Sequence, residues 1–390
     1  MFKNINQCDV YVGLWCIYML QEVLYSPGII NQLLQLIMLI WGMIALFKYI
    51  IQTTESSSIL KVTILLIAMY TIYGSIYFLM QDKYYYLQIS LNSLVPIFLF
   101  YYFAMEGKLT SDRIRIYLPI LIPICIMLYY KIENQELLQN GGEETTNNAG
   151  YYFVSLIPFL FFYSKKPFLQ FTFLGIILLY IIMGMKRGAI LIGVFETMVL
   201  LYANMKNSSR RMKILFSILT FIIVVGINKY IDYMMNNSAF FMARVEDTME
   251  GNSSGRDVIY ENLWYKLLSE PEPFYFYLGR GAESTIKLVG KFAHQDWLET
   301  FCNNGLLGVV ILFYFFYTFG KNAWLSRVCF SEMMFYSFVT LFITTLSKTL
   351  FSMSIQNLDL PITMLLGYFA YWMSQQTDNF ENYDYEQEEK

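Results

Sequence analysis

His294 is the only histidine in this chain of 390 residues. Imidazole exchanges its proton near neutral pH, with an unperturbed pKa of about 6.5, so it is the first candidate for a general base. A solitary histidine is more often a plain surface residue, and its surroundings decide. The local string runs His294-Gln295-Asp296-Trp297-Leu298-Glu299 and continues to Asn303-Asn304-Gly305-Leu306-Leu307-Gly308, where an apolar run begins. Asp296 lies only two positions from the histidine. Arg187, beside Lys186 in MGMKRGAIL, stands at the mouth of two apolar segments. A guanidinium matches phosphate oxygens in bidentate fashion and stays charged, although a cation at that level can simply snorkel. Arg256 in SSGRDVIYENLW, Arg280 in YLGRGAES and Arg244 in FFMARVED follow. Each alone reads as a solvated charge. Together with one histidine beside a membrane they suit an anionic lipid head group such as a diphosphate.

Other charges weigh less. Lys348 and Asp359 fall near the ends of adjacent apolar segments, where a structural ion pair is the plainer reading and a functional one the default for membrane charges. Glu196 and Glu22 fit an interface or the interior of a bundle. There is no GxxxxGK[ST] loop for nucleotide phosphates and no outward Asp-x-Asp pair for a divalent metal, and one histidine cannot build a His-rich site. The five cysteines are scattered without a CxxC, which indicates neither a zinc site nor a disulfide framework. The expectation is chemistry without metal or cofactor, on a substrate already activated by its lipid carrier.

These residues need a scaffold, and composition names its class. Hydrophobic residues make up 56% and charged residues 15%, against about 45–50% and 25% in soluble domains. That excludes an ordinary soluble globule and a disordered chain. The aromatic share of 18% suits rings at membrane interfaces. A net charge of −3 argues against nucleic acid as a partner. Taking about 20 apolar residues per span, twelve segments qualify: 9–25, 29–50, 59–80, 87–105, 114–130, 149–164, 168–185, 188–204, 213–235, 305–320, 331–351 and 355–374. The first reads as a membrane helix and not as a removed signal peptide. With the N-terminus inside, inner segments hold Lys48, Lys61, Lys108, Arg113, Lys165, Lys206, Arg210, Lys321 and Arg327, as the positive-inside rule requires. Lys186 and Arg187 break the rule by lying outside. The organisation expected is all-α: a polytopic bundle with its first nine helices in 1–235, a large outer loop at 236–304 with two or three short helices, three further spans in 305–374, and an acidic cytoplasmic tail at 375–390. A second outer loop, 131–148, is acidic.

At this point the chain resembles the O-antigen ligase and O-antigen polymerase superfamily. Ligases of that family carry His, then Asn, Ser or Gln, then nine residues, then Gly-x-x-Gly. His294-Gln295, nine residues, and Gly305-Leu306-Leu307-Gly308 fit every position. MKRGAIL looks like the family's Ser-Arg-Gly block with Lys186 in place of the serine. SSGRDVIYENLW followed by Gly279-Arg280-Gly281 is similar, and NNAGYYFVSLIPFLFF looks like the helix after its acidic outer loop. These blocks cover roughly 145–310; the N-terminal third matches in hydropathy alone.

The resemblance implies a C-type glycosyltransferase-like bundle of about twelve helices in a bacterial inner membrane, both termini cytoplasmic and the active site on the outer face. It implies transfer of a glycan from undecaprenyl diphosphate to a hydroxyl, metal-independent and inverting. Arg187 and Arg256 would bind the diphosphate and His294 would act as base on the acceptor hydroxyl. Lys186, Arg280, Arg244, Gln295, Asp296 and Gly305 would shape the substrate site. The first reading is a polymerase joining lipid-linked repeat units of a surface polysaccharide, with a chain-length regulator as a candidate partner, because the polymerase branch tolerates departures such as Lys186. The alternative is an O-antigen ligase or a protein O-oligosaccharyltransferase using the same donor. A carrier that flips lipid-linked oligosaccharide, and a scaffold or sensor, are the rivals from other classes.

Overall fold

The computed structural model describes residues 6–24, 28–52, 57–81, 85–139, 146–206, 208–249, 255–269, 272–355 and 359–376. Among them all regular structure is helical. In chain order the helices are α1 (Gln7–Leu24), α2 (Ile29–Gln52), α3 (Ser58–Gln81), α4 (Tyr85–Leu94), α5 (Pro96–Met105), α6 (Ser111–Gln139) and α7 (Gly150–Val154). After a short 3-10 helix, Ile157–Tyr163, come α8 (Pro167–Met183), α9 (Arg187–Lys206), α10 (Arg210–Asn237), α11 (Ala239–Met249) and α12 (Arg256–Ser269). The chain continues with α13 (Pro273–Leu278), α14 (Ser284–Val289), α15 (Asp296–Cys329), α16 (Glu332–Phe351) and α17 (Leu360–Ser374).

Seven of these, α2, α3, α6, α9, α10, α15 and α16, are long and apolar enough to cross a bilayer, so the chain is a multi-pass membrane protein. Their outward faces are apolar: Ile30, Leu33, Ile37, Ile40, Ile44 and Phe47 form an exposed stripe along α2. In water such a stripe would be a liability, and against lipid it costs nothing. The expected run at 87–105 is split into α4 and α5 because Pro96 removes a helical donor and clashes with the preceding turn. The run at 149–164 is one α-helical turn and a half followed by the 3-10 helix, with Pro158 at its start. Gly367 of α17 lets that helix lie directly on α5: an added Cβ would stand 2.5 Å from the Ile97 carbonyl oxygen. α10 is the least buried of the seven, with Phe216 its one buried side chain, stacked on Phe171 of α8.

Two expected boundaries move. The acidic segment 131–148 is helical through Gln139, as a continuation of α6. The large loop contains four short helices, α11–α14, where two or three were expected, and the helix that follows it begins at Asp296. Gly279 and Gly290, both at positive φ, end α13 and α14 and so divide the segment. Within the tail, residues 377–390 lie outside the described residues.

The bundle interior is not wholly apolar. Lys348 of α16 and Asp359 form a buried ion pair at 2.6 Å, and both bond Ser155 between α7 and the 3-10 helix. Glu196 of α9 is fully buried and accepts a hydrogen bond from Thr344 of α16. The plainer, structural reading of Lys348 and Asp359 is therefore what the packing presents.

Candidate functional site

The site is built around the start of α15. Asp296, Glu299 and Asn303 recur at helical spacing, so they share one face. All three are buried and each ties down a different segment. The Asp296 carboxylate accepts from the backbone N–H groups of Ser354 and Ile355, at 2.7 and 2.9 Å, and from the Ser354 hydroxyl. Glu299 accepts from the Thr285 hydroxyl at 2.8 Å and from the Ala293 N–H. The Asn303 amide oxygen takes both the N–H and the hydroxyl of Ser284. Trp297 donates its indole N–H to Thr349 of α16 at 3.0 Å. Asp296 is thus bonded to the 354–355 connection, and the role of holding the histidine segment falls to Glu299, whose partner Ala293 immediately precedes a turn of the chain.

That turn places His294 at φ 55°, a left-handed conformation unusual for a residue with a Cβ. It is held there between the Ala293–Glu299 bond and Gln295, which is the N-cap residue of α15. The Gln295 side chain makes no capping bond.

Gly305 explains the spacing to the glycine pair. At φ 66° and ψ −162° it breaks the helical path of α15. The carbonyls of Cys302 and Asn303, freed by the kink, accept the N–H groups of Arg280 and Gly281 at 2.9 Å each. The Gly279-Arg280-Gly281 turn therefore seats on the kink: a Cβ on Gly279 would collide with the backbone of Asn303 and Asn304, and one on Gly305 with the backbone of Tyr277, Leu278 and Gly279. Gly308 packs on Asn304 and Thr300 one turn further. The Arg280 guanidinium lies over the Tyr275 ring, 4.6 Å from its centroid. The turn is also held by α3: Tyr73 donates to the Leu278 carbonyl and Tyr77 to the Glu283 carboxylate.

The second half of the site comes from α9, α12 and α16. Arg256, the first residue of α12, donates to the Phe351 carbonyl at the end of α16 at 3.2 Å, and Tyr151 donates to the same oxygen. Gly188 makes this possible: an added Cβ would stand 2.6 Å from Phe351 Cβ and collide with the Tyr151 hydroxyl. His294 is exposed to solvent as a residue, yet its pKa is lowered, first by partial desolvation of the ring and then by the charges of Arg256 and Lys186. These two cations and the histidine are therefore electrostatic neighbours, although they are separated by up to 108 positions in the chain. Lys186 caps the start of α9 through its carbonyl, which accepts from Ile190. Arg187 follows at the first helical position, where the helix dipole adds positive potential. Its guanidinium makes a 3.9 Å ion pair with Asp247 of α11. Arg244 is also on α11, but its side chain lies outside what the structure describes.

Below Arg187 an apolar groove of about 780 Å³ opens between α8, α9, α10 and α11. Its walls include Leu174, Ile181, Leu191, Val194, Ile223 and Phe241. From Arg187 to Leu201 it follows α9 for about 21 Å at 1.5 Å per residue. Among the described residues of the lining, Arg187 is the one that is charged.

The structure thus gathers His294, Arg256, Lys186 and, next to it, Arg187. It places Arg280 on the kink of α15 and gives Asp296, Gln295 and Gly305 positions in the framework. Glu299, Asn303, Tyr151 and Gly188 are the framework residues that inspection of the sequence passed over; the helical register of 296, 299 and 303 was the available signal. Among the described residues no group of three or more His, Cys, Asp or Glu is arranged to hold a metal ion. Compared with known proteins, the chain matches no protein-family model and no curated protein.

Proposed function

We propose that this protein is a glycosyltransferase that takes a glycan from a polyprenyl diphosphate and joins it to a sugar hydroxyl of another lipid-linked unit, as a polymerase of a bacterial surface polysaccharide. The observation that carries this reading is the groove: an apolar channel sized for lipid chain, with Arg187 in its lining and, next to Arg187 in the chain, Lys186, which acts with Arg256 on the charge of His294. An isoprenoid tail fits the apolar walls, and its diphosphate meets the cations and the N-terminus of α9. Twelve apolar segments in a C-type glycosyltransferase-like plan, both termini cytoplasmic and the site on the outer face of the inner membrane, complete it.

The chemistry follows from the arrangement. The acceptor hydroxyl oxygen attacks the anomeric carbon and its proton passes to the neutral imidazole of His294. The bond between that carbon and the diphosphate oxygen breaks, and the electron pair leaves with the diphosphate. Attack from the face opposite the leaving group inverts the anomeric centre. A positioned base contributes about 10²–10⁴-fold, and cations fixed at the departing charge contribute on the order of 10²–10³ each. The lowered pKa of His294 keeps it unprotonated, and so able to accept, at neutral pH.

A ligase is the second reading, favoured by the complete fit of the His294–Gly308 string to the ligase pattern. The test is glycan length in a deletion strain complemented with wild type or with His294→Ala. Restoration of a ladder by wild type, and a single repeat unit with His294→Ala, support the polymerase. Long lipid-linked chains that never reach their acceptor in the deletion strain favour the ligase. A full ladder with His294→Ala refutes the general base.

A further inference from the structure

A second cavity, of about 400 Å³, lies on the other side of the bundle, between α1, α2, α4, α5, α6 and α17. Its size falls in the range of small-ligand sites, about 300–1,000 Å³. It shares no lining residue with the groove beneath Arg187. Its depth along α1, from Glu22 to Tyr11, is about 16 Å at 1.5 Å per residue.

The lining has three components, of which aliphatic side chains such as Met19, Met38, Leu39 and Leu128 are one. Trp15, Tyr18 and Tyr152 supply ring faces. Gln35, Asn92 and the carboxylates of Glu22 and Asp359 supply polar groups. Both carboxylates already have a cation: Asp359 is paired with Lys348 at 2.6 Å, and Glu22 lies 3.9 Å from Lys131. The Tyr18 hydroxyl accepts from the Gln35 amide at 2.6 Å, so the amide and the ring are oriented together. With its acids neutralised, the cavity does not call for a charged guest. Rings and aliphatic side chains beside hydrogen-bonding groups instead match a molecule that has both apolar C–H faces and hydroxyls.

We propose that this cavity binds a neutral, polyhydroxylated ring, a single sugar unit, separately from the site at His294. Its floor is joined to that site by short connections. Asp359 is bonded to Lys348, one turn before Phe351, whose carbonyl holds Arg256. Ser354 and Ile355, just beyond α16, bind Asp296, two positions after His294. These bonds couple the positions of the two sites, and in the transfer reading the cavity is offered to a distal unit of the glycan. The chemistry of the cavity stands on its lining; the link to a glycan chain rests on the transfer reading above.

The test is saturation-transfer NMR on the full-length protein in phospholipid nanodiscs, with methyl α-glucopyranoside, methyl N-acetylglucosaminide and glucuronic acid as probes. The neutral glycosides are expected to receive saturation at their ring C–H protons. Removing one stacking face by Trp15→Ala, or one amide by Asn92→Leu, is expected to weaken that binding roughly five- to tenfold. His294→Ala and Arg187→Gln are expected to leave it unchanged. No transfer to any neutral glycoside, or a signal that survives both cavity variants, overturns the proposal, as does binding confined to glucuronic acid. Binding without glycan transfer sustains the cavity and refutes the transfer reading; transfer without binding does the reverse.

Discussion

Gly305→Ala tests how the site is held together. At φ 66° and ψ −162° the residue occupies a region that is essentially closed to side chains. An added Cβ would stand 2.5 Å from the Gly279 nitrogen and the Tyr277 carbonyl carbon, both backbone atoms that cannot rotate aside. Relief requires the Gly279–Gly281 turn to lift, which removes the bonds from Arg280 and Gly281 to the Cys302 and Asn303 carbonyls. Backbone strain of about 1–3 kcal/mol and two hydrogen bonds of about 0.5–1.5 kcal/mol each sum to about 2–6 kcal/mol. Even the lower end lowers the seated population more than tenfold at about 1.4 kcal/mol per decade. The expected result is loss of glycan transfer by at least about tenfold, with new protease cleavage between residues 272 and 290 and with membrane insertion retained. Gly226→Ala is the control, since a Cβ there meets nothing within 4 Å. Wild-type transfer and an unchanged cleavage pattern in Gly305→Ala would refute the seating of the turn on the kink.

The remaining expectations concern charge and lipid. Because burial and then Arg256 and Lys186 lower the pKa of His294, transfer falls on the acid side as the imidazole protonates, with its limb below 6.5. Lys186→Gln or Arg256→Gln relieves part of that repulsion and moves the limb upward, as initial rates between about pH 5 and 8 will record; a limb that stays or moves down contradicts the neighbour assignment. Val194→Trp, on the groove wall, is expected to raise the KM for a polyprenyl-linked donor while sparing one with a short lipid, and equal effects on both would argue against lipid in the groove. Lys348→Met alone leaves the Asp359 carboxylate buried without its cation, a loss of about 3–5 kcal/mol. The double replacement Lys348→Met/Asp359→Leu is expected to recover much of that in thermal unfolding, and additive losses would refute a stabilising coupling between the two charges.

Chemistry was legible where it is local. The His294–Gly308 string and the Lys186–Gly188 block identify side chains able to take a proton or hold a phosphate, because residue type alone sets those capacities. The positions of apolar segments were also readable, since lipid demands long apolar runs whatever the neighbours do. Proline then shortened two of them in ways a hydropathy count passes over, at Pro96 and Pro158. Asp296 illustrates the limit: near His294 in the chain, it is bonded to Ser354 and Ile355, 58 and 59 positions away. Glu299 takes the holding role, because helical geometry turns it back to Ala293.

The sequence by itself determined a helical membrane protein whose single histidine and three of the candidate arginines fall in one long segment between apolar runs, with Lys186 and Arg187 in a short connection well before it. Side-chain chemistry and the solvent preference of apolar runs suffice for that. Only the tertiary structure decided that the charges of Arg256 and Lys186 act on His294, that Gly279 meets Gly305, and that α8, α9, α10 and α11 leave a groove with Arg187 in its lining. Those are contacts between distant segments, and they depend on how close two backbones can approach, which a glycine permits and a one-dimensional pattern does not record.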